Sequence, residues 1–213
     1  MIRVLVTAFG AFPGAPSNPT MAIAAALKKR ARQLRLAGIE IETEILPVVY
    51  AGTGERLEEL VARAKPDAVL HLGLAGKRKA LSVETRALNR LSIVHADAAR
   101  RLSDCMLIER GGQGMRKSRY QAARLAHVLN TAGAAARLSI DAGDYLCNQV
   151  LYHSLGLHRL PCGFIHVPRP RRLRAPKGAR PPTFRRPLLR AMAVGIEAAV
   201  RMLARDVLIA RAK

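Results

Sequence analysis

Short apolar runs alternate along the chain with longer stretches in which apolar residues recur every three or four positions. Residues 2–8 (IRVLVTA) are a β-branched apolar run, the pattern of a strand buried on both faces. Gly10, Pro13, Gly14, Pro16 and Pro19 then predict an irregular loop. Helical spacing follows over 19–36, with Asn18 placed as an N-cap and Pro19 at the first helical position. Residues 39–49 (IEIETEILPVV) alternate and then run apolar, as a strand does. A helix is predicted over 52–64, capped by Thr53, with Leu57, Leu60 and Val61 on one face and Pro66 beyond its end. Residues 67–73 (DAVLHLG) read as another buried strand.

The stretch 74–116 is less regular. It holds two strand-like pieces, LSVETRALN and SIVHADA, followed by polar and Gly-rich sequence through Gly111, Gly112 and Gly114. Beyond it the pattern predicts a helix over 118–132, a strand over 136–141, a short helix over 147–156 and a strand over 163–167 (GFIHV). Residues 168–187 are rich in Pro, Arg and Lys and predict a loop, and 188–211 an Ala- and Leu-rich terminal helix. Strands alternating with helices define an α/β class: a three-layer α/β/α sandwich, single domain over 1–213, around a central, mostly parallel (mixed) sheet.

Composition narrows the function. Half of the 213 residues are hydrophobic, enough for a sizeable core. The 36 Lys and Arg against 15 Asp and Glu give a net charge of +21, which raises nucleic acid or an anionic membrane as partners. The basic residues are spread over most of the chain and no nucleic-acid-binding motif accompanies them, so neither partner is expected. Three Cys without paired or metal-type spacing suit a reducing, cytoplasmic compartment. No apolar run approaches the ~20 residues of a membrane span.

Candidate chemistry gathers late in the chain. In SIDAGDYLCN, Cys147 follows a Gly turn at the start of a predicted helix, where unpaired backbone N–H groups and the helix dipole favour a thiolate and could hold an oxyanion. An inert buried thiol is the commoner fate of a single Cys. His166 sits at the end of a short apolar strand, where open α/β sheets place functional groups, and imidazole could act as its base. An acid is needed to orient that imidazole, and spacing alone does not choose among Glu84, Asp97 and Asp141. Cys105 lacks an evident base, and Cys162 reads as structural. His71, inside an apolar strand, reads as a satisfied core histidine; His95, His127, His153 and His158 show no metal-ligand spacing.

Several segments together resemble the pyroglutamyl-peptidase I (pyrrolidone-carboxylate peptidase) family of cysteine peptidases, over roughly residues 2–168 and a final helix. They are VTAFGAFPGAPSNPT, LPVVYAGTGERLEELVARAKPDAVLHLGLAG, GLAGKRKALSVETRALN, SIDAGDYLCNQVLYHSL and GFIHVP. The resemblance implies a catalytic triad of Cys147, His166 and Glu84. It also implies that Phe9, Phe12, Asn18, Tyr145 and Leu146 bind the substrate, with Phe9, Phe12, Tyr145 and Leu146 forming a slot for the pyrrolidone ring. It implies hydrolysis of an N-terminal pyroglutamyl residue from peptides, no cofactor or metal, and a homo-oligomer, often a tetramer in bacterial members. Two other readings remain at this level: a related thiol hydrolase with a shifted amide substrate, and an inactive basic binding protein.

Overall fold

The computed structural model describes residues 1–12, 15–171 and 186–212. Six strands form the main sheet: β1 (Ile2–Phe9), β2 (Ile39–Leu46), β3 (Ala68–Leu74), β4 (Leu81–Glu84), β7 (Ala136–Ser139) and β8 (Cys162–Val167). Two short strands, β5 (Arg86–Leu88) and β6 (Met115–Lys117), pair antiparallel as a separate ribbon. The sheet order is β2-β1-β3-β8-β4-β7. The first four run parallel; β4 is antiparallel to β8, and β7 parallel to β4. The sheet is therefore mixed and mostly parallel, as the α/β pattern predicts.

Alternation along each strand sorts the two faces. Val4, Val6 and Ala8 of β1, Leu70 and Leu72 of β3, Leu81 and Val83 of β4, and Ile165 and Val167 of β8 share one core. Helices α1 (Pro19–Lys29), α2 (Ala31–Leu36), α4 (Ala122–Thr131) and α6 (Leu189–Arg211) cover that face, the last through Met192, Ile196, Val200 and Leu203. Leu5 and Phe9 of β1, Val69 of β3, and Cys162 and Phe164 of β8 face a second core, under α3 (Thr53–Ala64) and α5 (Leu146–Leu157). The polar residues interleaved on this second face are Thr7, His71, Ser82, Glu84 and His166, all buried. One face is thus purely apolar and the other carries the titratable groups.

Local departures from the sequence reading have physical causes. The single helix predicted over 19–36 breaks at Arg30, whose N–H turns back to Leu27 and Lys28 and tightens the end of α1. Asn18 caps α1 as expected, accepting the Thr20 N–H at 3.1 Å. Thr53 does not cap α3: Gly52, at φ 69°, holds the cap position, and the Thr53 hydroxyl donates to the carbonyls of Val49 and Tyr50. The strand-like SIVHADA forms no strand. Ser92 Oγ accepts from the amides of Val94 and His95, and Asp97 Oδ1 from those of Ala99 and Arg101, so short polar side chains satisfy the backbone that a ladder would need. Of the basic loop predicted over 168–187, residues 172–185 lie outside the described residues; its base is closed by Arg171 N–H on the Pro187 carbonyl at 3.0 Å.

Candidate active site

Sheet register brings the first two functional groups together. His166 is the cross-strand partner of Ser82, and Glu84 that of Phe164. Glu84 and His166 therefore occupy diagonal positions on one face of an antiparallel pair, within reach of long side chains. His166 Nδ1 lies 2.7 Å from Glu84 Oε1. His166 is 5% exposed and Glu84 fully buried. A carboxylate so placed fixes the ring with its proton on Nδ1.

Cys147 reaches the same point from above the sheet. Asp141 Oδ1 accepts the Gly143 N–H at 2.9 Å, and Gly143, at φ 87°, turns the chain into α5. Cys147 is the second residue of that helix. The next residue, Asn148, is fully buried: its Oδ1 accepts from Leu88 N–H, and its Nδ2 donates to the Leu88 and Arg90 carbonyls. The helix mouth is thereby tied to the chain that follows Glu84. On the sheet below, Gly73 of β3 is the register partner of His166. A Cβ at Gly73 would stand 2.7 Å from the Cys147 sulfur and 2.5 Å from Cζ of Phe164. The sulfur thus rests over the backbone beside His166, in space that only glycine leaves.

Electrostatics correct one expectation. Burial outweighs the helix end and pushes the Cys147 thiol up to about 12; the Glu84 charge adds to the rise, while Arg78 opposes it. Burial likewise lowers His166 below the ordinary histidine value, against the raising effect of its bond to Glu84. Near neutrality the resting pair is a protonated thiol and a neutral imidazole, not a preformed thiolate.

Beside the sulfur lies a small apolar recess at the C-terminal ends of the parallel strands. Phe9, Phe12, Asn18, Val48, Leu74, Tyr145, Leu146 and Cys147 line it, so every wall residue expected from the sequence is there. The polar atoms of Asn18 are occupied by the loop itself: Nδ2 donates to Gly10 O, and Oδ1 accepts from Thr20. Tyr145 donates its hydroxyl to Ala96 O and meets Tyr50 edge-on at 5.4 Å, which fixes the outer wall.

The other candidates fall away by their partners. Asp97 spends its carboxylate on the amides of Tyr50, Ala99 and Arg101. Asp141 is exposed and pairs with Arg90 at 2.7 Å. His71 is a satisfied core histidine, held between Thr7 Oγ1 at 2.7 Å and Ser154 Oγ at 2.8 Å. Cys162 is buried at the far end of β8. Cys105 is the thiol whose value is lowered, first by the Leu107 N–H and then by Arg110, but no imidazole is bonded to it among the described contacts.

Sequence reasoning missed three contributors. Gly73 bore no signal beyond a glycine near a strand end. Asn148 followed the thiol unnoticed, although a buried amide there is what ties the helix mouth down. Arg78 donates from Nη1 to Glu84 Oε1 at 2.5 Å and from Nη2 to the Asp141 carbonyl at 2.7 Å. In the sequence it is one of three successive basic residues, with nothing to distinguish it from its neighbours.

A thiol at a helix mouth, an imidazole–carboxylate pair on adjoining strands and an apolar recess between them are the makings of a cysteine peptidase built on an α/β sandwich. The comparisons specify which. The family model described as pyroglutamyl peptidase matches residues 2–202, and the chain belongs to that family. It is 33% identical to the pyrrolidone-carboxylate peptidase of Pyrococcus furiosus, over 95% of this chain and 100% of that one. Pyrrolidone-carboxylate peptidase 1 of Ralstonia nicotianae is 34% identical over 79% of each chain. Among solved structures, pyrrolidone carboxyl peptidase from Thermus thermophilus superposes with a TM-score of 0.75 at 33% identity, covering 92% of this chain and 98% of that one. The Thermococcus litoralis pyrrolidone carboxyl peptidase gives 0.83 at 27% identity, with 99% and 96% covered.

Proposed function

We propose that this chain hydrolyses the N-terminal pyroglutamyl residue from peptides, with Cys147 as nucleophile, His166 as general base and acid, and Glu84 as the orienting carboxylate. The observation that carries the assignment is the 2.7 Å His166–Glu84 bond on the face where the Cys147 sulfur rests, beside an apolar recess. The recess suits a pyrrolidone ring, which is compact, flat and uncharged: Phe9, Phe12 and Tyr145 offer ring surface, and Val48, Leu74 and Leu146 aliphatic surface. Asn18 serves the slot by holding its loop.

The reaction starts from the neutral pair. As the sulfur attacks the pyroglutamyl carbonyl, its proton passes to His166 Nε2, and the buried Glu84 carboxylate stabilises the imidazolium that forms. Backbone N–H groups in the first turn of α5 lack intrahelical partners and are the donors available to the developing oxyanion. His166 then protonates the departing peptide amine, leaving a thioester on Cys147. Water attacks the thioester with His166 again as base, pyroglutamate leaves and the thiol is restored.

The test is release of a chromophore from a pyroglutamyl amide. Wild type should turn it over, and Cys147→Ala should retain no measurable activity while folding normally. Equal activity in Cys147→Ser and wild type would remove Cys147 as the nucleophile. Homo-oligomeric assembly and a cytoplasmic setting belong to the same proposal; three free thiols support a reducing compartment, and sedimentation equilibrium tests the assembly. Among the described residues no helix is long and apolar enough to cross a membrane.

A further inference from the structure

Glu84 is fully buried, yet one of its oxygens does all the bonding. Oε1 receives both His166 Nδ1 at 2.7 Å and Arg78 Nη1 at 2.5 Å, whereas Oε2 has no partner among the described residues. A carboxylate buried in this way needs a positive charge beside it, or it takes up a proton. Two groups could supply that charge. If His166 supplied it, the imidazole would rest as imidazolium and could not accept the Cys147 proton. The Arg78 guanidinium, bonded to the same carboxylate oxygen, supplies that charge in its place and leaves the imidazole neutral.

The geometry of Arg78 fits this division of labour. It stands in the turn between β3 and β4, where its own N–H closes on the Ala75 carbonyl at 2.9 Å. The second arm of its fork is pinned by the Asp141 carbonyl, at the entrance to the turn that delivers Cys147. The guanidinium therefore links the carboxylate strand to the approach of the nucleophile helix, and it does so from a side chain only partly exposed.

We propose that Arg78 is a positioning residue of the hydrolytic site: it sets a fixed positive charge against the Glu84 carboxylate and holds that carboxylate aimed at His166 Nδ1, and so keeps Nε2 unprotonated for the Cys147 thiol. The proposal rests on the roles assigned above to Cys147, His166 and Glu84. Arg78 acts through Glu84 and need not touch substrate. The groups around His166 are Glu84 and Ser82 from β4, Arg78 from the turn and, at longer range, Asp141 from the loop before α5, with the Cys147 sulfur over the neighbouring Gly73. Of the charged ones, Glu84 and Asp141 favour the imidazolium and Arg78 disfavours it.

Two variants separate charge from fork geometry: Arg78→Gln and Arg78→Lys, assayed on a pyroglutamyl amide across pH 5–9. A parallel NMR titration follows the His166 ring, assigned by its loss in His166→Asn. For Arg78→Gln, kcat should fall about 100-fold with KM within about twofold of wild type. The acid limb and the His166 titration should both move up by about one pH unit, because the opposing positive charge is gone. Arg78→Lys keeps the charge but not the fork; its acid limb should stay at the wild-type position while kcat falls about tenfold. Wild-type kcat in Arg78→Gln, a loss confined to KM, or an unmoved His166 titration would each overturn the proposal. Should Arg78→Gln not fold, the decision passes to Arg78→Lys, where wild-type kcat or a shifted limb overturns it. The ring titration needs no substrate. A wild-type protein inert towards pyroglutamyl amides would thus defeat the peptidase reading and still leave the Arg78 effect measurable.

Discussion

At Gly73 a missing side chain does as much for the site as the side chains present. Adding one methyl there brings it 2.5 Å from the Phe164 ring and 2.7 Å from the sulfur, too close for either to stay. Gly73→Ala should lower kcat at least about 100-fold, as a displacement near 1 Å does elsewhere, while circular dichroism shows the fold retained. His166 gives a pH prediction. Its folded-state value is depressed by burial, so the ring stays neutral, and able to act as a base, below pH 6.5. The acid limb of kcat/KM should therefore lie below pH 6.5; a limb above that point would contradict a buried, neutral base. Glu84→Gln removes the charge that raises His166, so the limb should move lower still. Its kcat should fall by about 10² to 10³, since the imidazolium loses its counter-charge.

Helix α5 is where separate elements meet. Through Asn148 it grips β5 and the chain beyond it, and through Ser154 it grips His71 on β3, which in turn meets Thr7 on β1. Asn148→Ala strands one buried N–H and two carbonyls and should cost about 2–4 kcal/mol in urea unfolding, with activity lost in parallel. His71, within this relay of hydrogen bonds, ties stability to pH. Burial lowers His71 to about 3, against an ordinary value of 6.5. A depressed histidine contributes stability that is complete above pH 6.5 and is lost as pH falls towards 3. The urea midpoint should decline over that window, and His71→Gln should flatten the decline. An equal slope in the variant would show that other groups dominate acid unfolding.

The whole molecule carries +21, and such a charge works against its own compactness. Raising NaCl from 0.01 to 0.3 M should lift Tm by roughly 3–6 °C, as screening shortens the reach of the repulsion; a Tm indifferent to salt would show that the ion pairs already offset it. Much of this molecule was legible in the sequence because its strands are buried apolar runs and its site lies in contiguous motifs. Position made Cys147 and His166 candidates only, and resemblance joined them into a pair and added Phe9, Phe12, Tyr145 and Leu146. The choice of Glu84 over Asp97 and Asp141 was not legible from spacing, because it depends on β4 running antiparallel to β8. Gly73 was hidden for the same reason, since it matters through Cys147 and Phe164, distant in sequence; Arg78, six residues from Glu84, was hidden between two other basic residues. The stretch 92–98 misled because its apolar residues alternate like a strand, while Ser92 and Asp97 consume the backbone bonds locally.

The antiparallel step between β4 and β8 makes the arrangement a matter of odd and even. Ser82 and Glu84 look towards α5, whereas Leu81 and Val83 look away. Slipping β4 by a single residue would swap the two sets: the carboxylate would go into the oily layer and a valine would meet the imidazole. A slip of two residues restores the face but carries Glu84 about 7 Å along the strand, so the carboxylate meets the imidazole in one register alone.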